Sequence, residues 1–116
     1  MSKADVIIHP GIGSPVVHKK VDCASSIRLI LPHVQECRRT KRTLRVAAEV
    51  RLGNGSTVVF GSVDGDIEIK EVQPLIGGFR TLLGVIPLPT RTEIHPESND
   101  FAIHKVVLKA YERAGG

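Results

Sequence analysis

Aromatic residues are almost absent from this chain of 116 residues, which has no Trp, one Tyr and three Phe. Its core must therefore be built from Val, Ile, Leu and Ala. A surface that binds single-stranded nucleic acid gains about 1–3 kcal/mol per base from stacking on aromatic rings. The composition argues against a stacking platform of that kind.

Cysteines and long apolar runs are also scarce. The only cysteines are Cys23 and Cys37, whereas small secreted domains usually carry several disulfides. No stretch approaches the ~18 apolar residues of a membrane span, and the first ten residues lack the apolar core of a signal peptide. We therefore expect free thiols, cytoplasmic or intracellular synthesis, and no membrane contact.

Positive charge is in excess, and it is concentrated in the first part of the chain. Residues 1–51 carry ten Lys and Arg against four Asp and Glu, whereas residues 52–116 carry six against eight. Most of the excess lies in a run without acidic residues, here named the basic strip: Arg38, Arg39, Lys41, Arg42 and Arg45. Such a run attracts polyanions, so nucleic acid or an acidic protein surface is a candidate partner. A solvated turn is the alternative that needs no function.

An antiparallel β-meander is predicted for residues 43–72. Residues 44–52 alternate between apolar and polar side chains, which is typical of a strand with one solvated face. Gly53-Asn54-Gly55 has the composition of a tight hairpin turn, and residues 56–62 form the predicted returning strand. A second turn, Asp64-Gly65-Asp66, leads into the third strand.

A helix is predicted before the meander. Apolar residues recur every three or four positions over residues 23–37, and Asp22 is a suitable N-cap. Pro32 opposes this helix because proline removes a backbone hydrogen bond. The alternation around Leu29 leaves a strand as the alternative.

The remaining elements complete a single α+β domain, residues 1–116. Short strands are predicted at Val6–Ile8 and Val16–Val21. A C-terminal helix is predicted after Asp100, with a strand over 105–111 as the alternative. We expect a sheet of three to five antiparallel strands or a small barrel, with one or two helices packed on it.

The segment 73–100 fits no regular element. It contains four prolines and three glycines, and long connections of this kind are often functional. It is predicted to be either an insertion with a short helix that packs on the sheet, or a loop that contacts a partner subunit with Phe79 as its anchor. The predicted interface residues are Leu75, Ile76, Phe79, Leu82, Leu83, Val85, Ile86 and Leu88.

Motifs for catalysis or metal binding are incomplete. Glu68-Ile69-Lys70 matches half of the PD-(D/E)xK nuclease pattern, but the preceding strand offers no acid. Gly11-Ile12-Gly13 lacks the third glycine and the Lys-Ser/Thr pair of a phosphate-binding loop. Four possible zinc ligands lack the close pairs of a zinc knuckle; they are His18, Cys23, His33 and Cys37. We therefore expect no catalytic residue, no metal and no cofactor.

The leading functional expectation is a non-catalytic assembly subunit. It would form homo- or hetero-oligomers, as in a ring, collar, tail or shell of a virion-like particle. The first alternative is a sequence-nonspecific nucleic-acid-binding protein that acts through the basic strip. The second is a nuclease of the PD-(D/E)xK kind.

Overall fold

A computed structural model of the chain describes residues 2–72, 89–95 and 100–115. The strands are β1 (Ala4–Ile8), β2 (Val16–Val21), β3 (Leu44–Leu52), β4 (Thr57–Val63), β5 (Asp66–Val72) and β6 (Pro89–His95). The helices are α1 (Cys23–Arg39) and α2 (Asp100–Arg113). This order of elements confirms the predicted α+β class.

The strands form one antiparallel sheet in the order β2-β1-β3-β4-β5-β6. β3, β4 and β5 are the predicted meander, with Ala48 opposite Phe60 and Phe60 opposite Ile69. β1 pairs with the free side of β3 and carries β2 on its outer side. The meander is confirmed, and the sheet is open, so the small-barrel alternative is wrong.

One strand of the sheet, β6, is not predicted by the sequence. It lies within the segment 73–100 and pairs with β5, from Ile67 opposite His95 to Val72 opposite Pro89. Its first residue is a proline, and proline is tolerated at the start of a strand. The described chain thus has six strands in its sheet, one more than the predicted upper limit. The predicted interface residues of this segment lie outside the described residues.

Helix α1 forms as the three- and four-residue spacing predicts. Its N-cap is Asp22, whose Oδ1 accepts a hydrogen bond from the backbone N–H of Ser25 at 2.7 Å. Ile30, Val34 and Cys37 are buried along one side of the helix. Pro32 lies inside the helix and is exposed, so it removes a backbone hydrogen bond without disturbing the core. The strand alternative for this segment is wrong.

Both helices pack on one face of the sheet and enclose the core. Phe60 is the largest fully buried side chain, and it packs among aliphatic residues from both layers. From α2, Ile103 and Val107 are fully buried, so the strand alternative over 105–111 is also wrong. Tyr111 donates a buried hydrogen bond to the carbonyl oxygen of Val21 at 2.9 Å, which ties α2 to the end of β2.

A bulge in β3 shapes the face of the sheet opposite the helices. Leu44 is opposite Ser62, and Ala48 is opposite Phe60, so β3 advances four residues where β4 advances two. The extra residues press the backbone of Arg45 onto Gly61. A Cβ atom on Gly61 would lie 2.8 Å from the carbonyl carbon of Arg45 and closer still to its oxygen. Position 61 therefore admits only glycine without displacement of β3.

Gly61→Ala should lower the free energy of unfolding by about 1–3 kcal/mol, because the added methyl group forces the two strands apart. Urea denaturation monitored by circular dichroism would measure this change. Gly53→Ala is the matched control, since a Cβ at position 53 meets no atom within 4 Å and should change stability by no more than about 0.5 kcal/mol. Equal midpoints for the two variants would contradict the close approach.

Candidate functional site

Seven consecutive residues, 11–17, are exposed in the turn after β1 and at the start of β2. They are here named the hairpin arm. Ile12 is 87% exposed, and Val16 and Val17 are each 51% exposed. Gly11 and Gly13 have φ angles of 87° and 98°, a left-handed backbone that glycine adopts without strain. Of the six large hydrophobic residues that are exposed in the described chain, the arm contains three. The other three are Val46, Phe101 and Leu108.

The base of the hairpin arm is fixed to the body of the domain. His33 on α1 donates from Nε2 to the carbonyl oxygen of His9 at 2.8 Å. Arg42 donates from Nη2 to the carbonyl oxygen of Pro10 at 3.4 Å. The His9 ring contacts Glu49 Oε2 on β3 at 2.6 Å. These three contacts fix His9 and Pro10, the residues that lead into the arm, to α1, β3 and the turn between them. The exposed aliphatic side chains therefore extend from a fixed base.

β2 is an edge strand in the described sheet, and its two halves differ. The backbone groups on the outer side of an edge strand are available for pairing with another chain. In the second half, Lys19 and Lys20 follow each other, Lys20 has a φ angle of 53°, and the register with β1 shifts between Ala4 and Val6. Lysines and bulges protect an edge from pairing. The first half of β2, residues 16–18, overlaps the hairpin arm and lacks this protection.

The basic strip spans the last turn of α1, the turn that follows and the start of β3. Two of its members are neutralised by acids. Arg39 Nη2 lies 2.6 Å from Glu36 Oε1, and Arg45 Nη1 lies 3.3 Å from Glu68 Oε2. The hydrogen bonds between Arg39 and Glu36 raise the pKa of Arg39 and lower the pKa of Glu36.

The other three members of the basic strip form no ion pair with described residues. Arg38 donates to the side-chain oxygen of Gln35 at 3.0 Å, and Arg42 donates to the Pro10 carbonyl. Lys41 is exposed on a turn, with a φ angle of 53°. The structure thus reduces the predicted run of five charges to three that are not balanced by a neighbouring acid.

The face of the sheet opposite the helices carries two carboxylates between cations. Glu68 is 6% exposed, and its oxygens lie 3.3 Å from Arg45 Nη1 and 3.5 Å from Lys70 Nζ. Glu49 contacts His9 and, at 3.4 Å, Arg51 Nη2. Glu68 therefore offsets the charge of Lys70 on its own strand and of Arg45 two strands away, and Glu49 offsets the charge of Arg51 on its own strand.

β4, the strand before Glu68 and Lys70, has no acid that could complete the nuclease pattern, so Glu49 on β3 is the acid to compare. Glu68 and Lys70 lie on β5, whereas Glu49 lies on β3, with Val59 of β4 opposite both Glu49 and Lys70. Two strand spacings, about 9–10 Å, therefore separate the backbones at Glu49 and Lys70. Throughout residues 2–72, 89–95 and 100–115, no group of three or more His, Cys, Asp or Glu residues is placed to hold a metal ion.

The cysteines lie near opposite ends of α1. Fourteen residues at ~1.5 Å each place them about 21 Å apart, too far for a disulfide. Cys37 Sγ is 4.0 Å from His33 Nε2, but that nitrogen already donates to His9. Burial raises the pKa of both thiols, Cys23 and Cys37. Of the four possible zinc ligands, only His33 and Cys37 come together.

Comparison with protein-family models, curated proteins and solved structures finds no match to this chain. In the described part of the chain, neither helix combines the length and the apolar character that crossing a bilayer requires. From the sequence, Gly11-Ile12-Gly13 is considered only as an incomplete phosphate-binding loop, and the hairpin arm is not identified. The signal is an isoleucine between two glycines, with two valines just beyond.

Cys37 should react with a thiol reagent only when the chain opens, because it is 1% exposed and burial raises its pKa. We expect Cys23→Ala, which isolates Cys37, to react at least roughly 100-fold more slowly in buffer at pH 8 than in urea. Cys37→Ala is the matched variant and should show faster native labelling, since Cys23 is only half-buried. Equal rates for Cys37 in buffer and in urea would contradict its placement in the core.

Proposed function

We propose that this chain is a non-catalytic assembly subunit whose hairpin arm docks onto a neighbouring copy in a homo-oligomer. The observation that carries the proposal is the exposure of Ile12 in the turn of the hairpin arm and of Val16 and Val17 at the start of β2. Single exposed apolar residues are common on protein surfaces. Here three exposed aliphatic residues lie within six positions of one hairpin arm, with Val16 and Val17 on opposite faces of β2. A partner that contacts the arm on both sides covers all three, and such a concentration of exposed apolar residues marks interaction surfaces.

The energetics favour an assembly with repeated contacts. Full burial of an Ile or Val side chain contributes about 1.5–3 kcal/mol relative to full exposure, whereas association costs about 4–15 kcal/mol in lost translational and rotational freedom. One arm is therefore marginal by itself. In a closed ring or a shell, each subunit both gives and receives an arm, and the contacts reinforce one another.

The backbone of β2 adds a second contribution at the same place. The unprotected half of this edge strand begins within the arm, so a partner that covers Val16 and Val17 also reaches the outer backbone groups of β2. Strand addition of this kind gives affinity through main-chain hydrogen bonds and specificity through side-chain pockets. A further contact through the predicted interface residues of the segment 73–100 stays a prediction.

Ile12→Asp should lower the oligomer mass measured by size-exclusion chromatography with light scattering, because it places a charge on the most exposed apolar residue of the hairpin arm. Its far-UV circular dichroism should match that of the parent, since Ile12 is 87% exposed and makes little contact within its own chain. Leu108→Asp on α2 is the matched control, with an exposed aliphatic residue outside the arm (51% exposed). A monomeric parent, or an equal loss of mass in both variants, would contradict docking through the arm.

A second candidate function is nonspecific nucleic-acid binding through Arg38, Lys41 and Arg42. It is supported by the absence of ion pairs between these three groups and the described residues. Neutralisation of phosphates by such groups releases counterions, so affinity falls steeply with salt. No aromatic residue belongs to the basic strip, so this contact acts by charge without base stacking.

The double variant Arg38→Glu, Lys41→Glu should bind a random-sequence DNA duplex at least about tenfold more weakly near 50 mM salt, with a salt slope reduced by up to about 2. Fluorescence anisotropy across a salt series measures both quantities. Lys105→Glu, Lys109→Glu makes the same change of charge on the exposed side of α2. If this control loses as much affinity, net charge alone drives binding and the basic strip is not the site.

A further inference from the structure

A cleft of about 180 Å³ opens at the end of the sheet away from the hairpin arm. β1 runs from this cleft, at Ala4, to the base of the arm, beyond Ile8. The charged residues that line the cleft are Lys3, Asp5, Lys20 and Arg51. They come from β1, β2, β3 and the residue before β1, so the register of the three strands creates the cleft.

The one acid among these lining residues is already engaged. Asp5 Oδ1 accepts a hydrogen bond from the backbone N–H of Lys20 at 3.3 Å, and Asp5 Oδ2 lies 3.8 Å from Lys19 Nζ. Lys19 does not line the cleft. Asp5 thus interacts with the side chain of Lys19, outside the cleft, and with the backbone N–H of Lys20. It forms no ion pair with the side-chain ammonium of Lys20.

Two more acids lie near the cations of the cleft, and both have other partners. Glu49 faces Arg51 at 3.4 Å, but its other oxygen contacts His9 at 2.6 Å. Asp22 attracts Lys3, but its Oδ1 accepts the N–H that caps α1. The positive charge that lines the cleft is therefore only partly offset.

The backbone at Lys20 has an unusual conformation. Its φ angle of 53° lies in the left-handed region, which residues other than Gly, Asn and Asp seldom adopt. Residues held in such conformations are concentrated at functional sites. In this conformation the N–H of Lys20 meets Asp5 while the lysine side chain stays at the wall of the cleft.

We propose that this cleft binds a phosphate group between Lys3, Lys20 and Arg51. The proposal goes beyond the assembly function and does not depend on it. The guanidinium of Arg51 presents a planar fork that suits the oxygens of a phosphate, and the two lysines add point charges. The neighbouring turn leaves room for the ligand, because a Cβ on Gly53 would meet no atom within 4 Å.

The test is a titration of the ¹⁵N-labelled chain with inorganic phosphate at pH 7, with ionic strength held constant by sodium chloride. Saturable shifts are expected at the backbone amides of Lys20 and Gly53. Lys20→Gly removes the charge and relaxes the backbone. It should weaken phosphate binding by about fivefold or more, since each phosphate contact contributes on the order of 1 kcal/mol, with no loss of thermal stability.

Lys41→Gly is the matched control, because Lys41 has the same φ angle of 53° in the turn after α1. It makes the same changes of charge and backbone freedom at the other end of β3, and it should leave the affinity at the cleft unchanged. Lys3→Ala supplies a second variant at an exposed position, with an expected loss similar to that of Lys20→Gly. Shifts that stay linear with phosphate, or that map to residues 38–42, would overturn the proposal, as would equal weakening by both glycine variants.

Two probes distinguish the sources of the phosphate group. Dimethyl phosphate represents the diester of a nucleic-acid backbone, and inorganic phosphate represents a free or terminal phosphate. Equal affinity for both assigns the cleft to a phosphodiester chain. A preference for inorganic phosphate of about tenfold assigns it to a free or terminal phosphate, because the second negative charge strengthens each ion pair.

Discussion

Aliphatic packing between two helices and one face of the sheet determines the rest of this structure. Phe60 lies at its centre among Ile30, Ile67 and Ile103, all fully buried. With so few aromatic rings, the core relies on many branched side chains in close contact, and such contacts are sensitive to the position of every strand. Both helices cover the same face of the sheet. On the described part of the opposite face, the charged side chains are therefore stabilised by ion pairs with one another.

Those charged pairs are tied to the bulge of β3. The close approach of Arg45 to Gly61 carries the guanidinium towards Glu68, the residue opposite Gly61 on β5. A carboxylate that is 93% buried at its side chain is destabilising unless cations lie beside it. Arg45 donates a hydrogen bond to Oε2, whereas Oε1 has only the charge of Lys70 at 3.5 Å and no hydrogen bond from the described residues. Arg45 is therefore a structural residue first. Its charge contributes less to any polyanion contact than its place in the basic strip indicates.

The spacing of apolar residues along the sequence predicts those helices and strands that bury a regular stripe or alternate face. Alternation predicts β3, and three- and four-residue spacing predicts α1, where the buried stripe outweighs Pro32 because the proline faces solvent. The sequence PTRTEIH has too little apolar alternation to predict β6, whose pairing with β5 comes from long-range contacts. The cleft is not predicted for the same reason: Asp5, Lys20 and Arg51 are far apart in the chain, and only the register brings them together.

The two cationic surfaces lie at opposite ends of β3, whose eight residue steps of ~3.3 Å span about 26 Å. They therefore cannot share one phosphate group. They also differ in their relation to the hairpin arm. Arg42 donates to Pro10 and packs against Gly11, so a ligand that draws Arg42 away removes one support of the arm. Charge at the basic strip and docking of the arm are linked through this one side chain, whereas the cleft is connected to the arm through β1, through β2 and through Glu49, which contacts both Arg51 and His9. Both cationic surfaces are therefore coupled to the base of the arm, the basic strip through Arg42 and the cleft through Glu49.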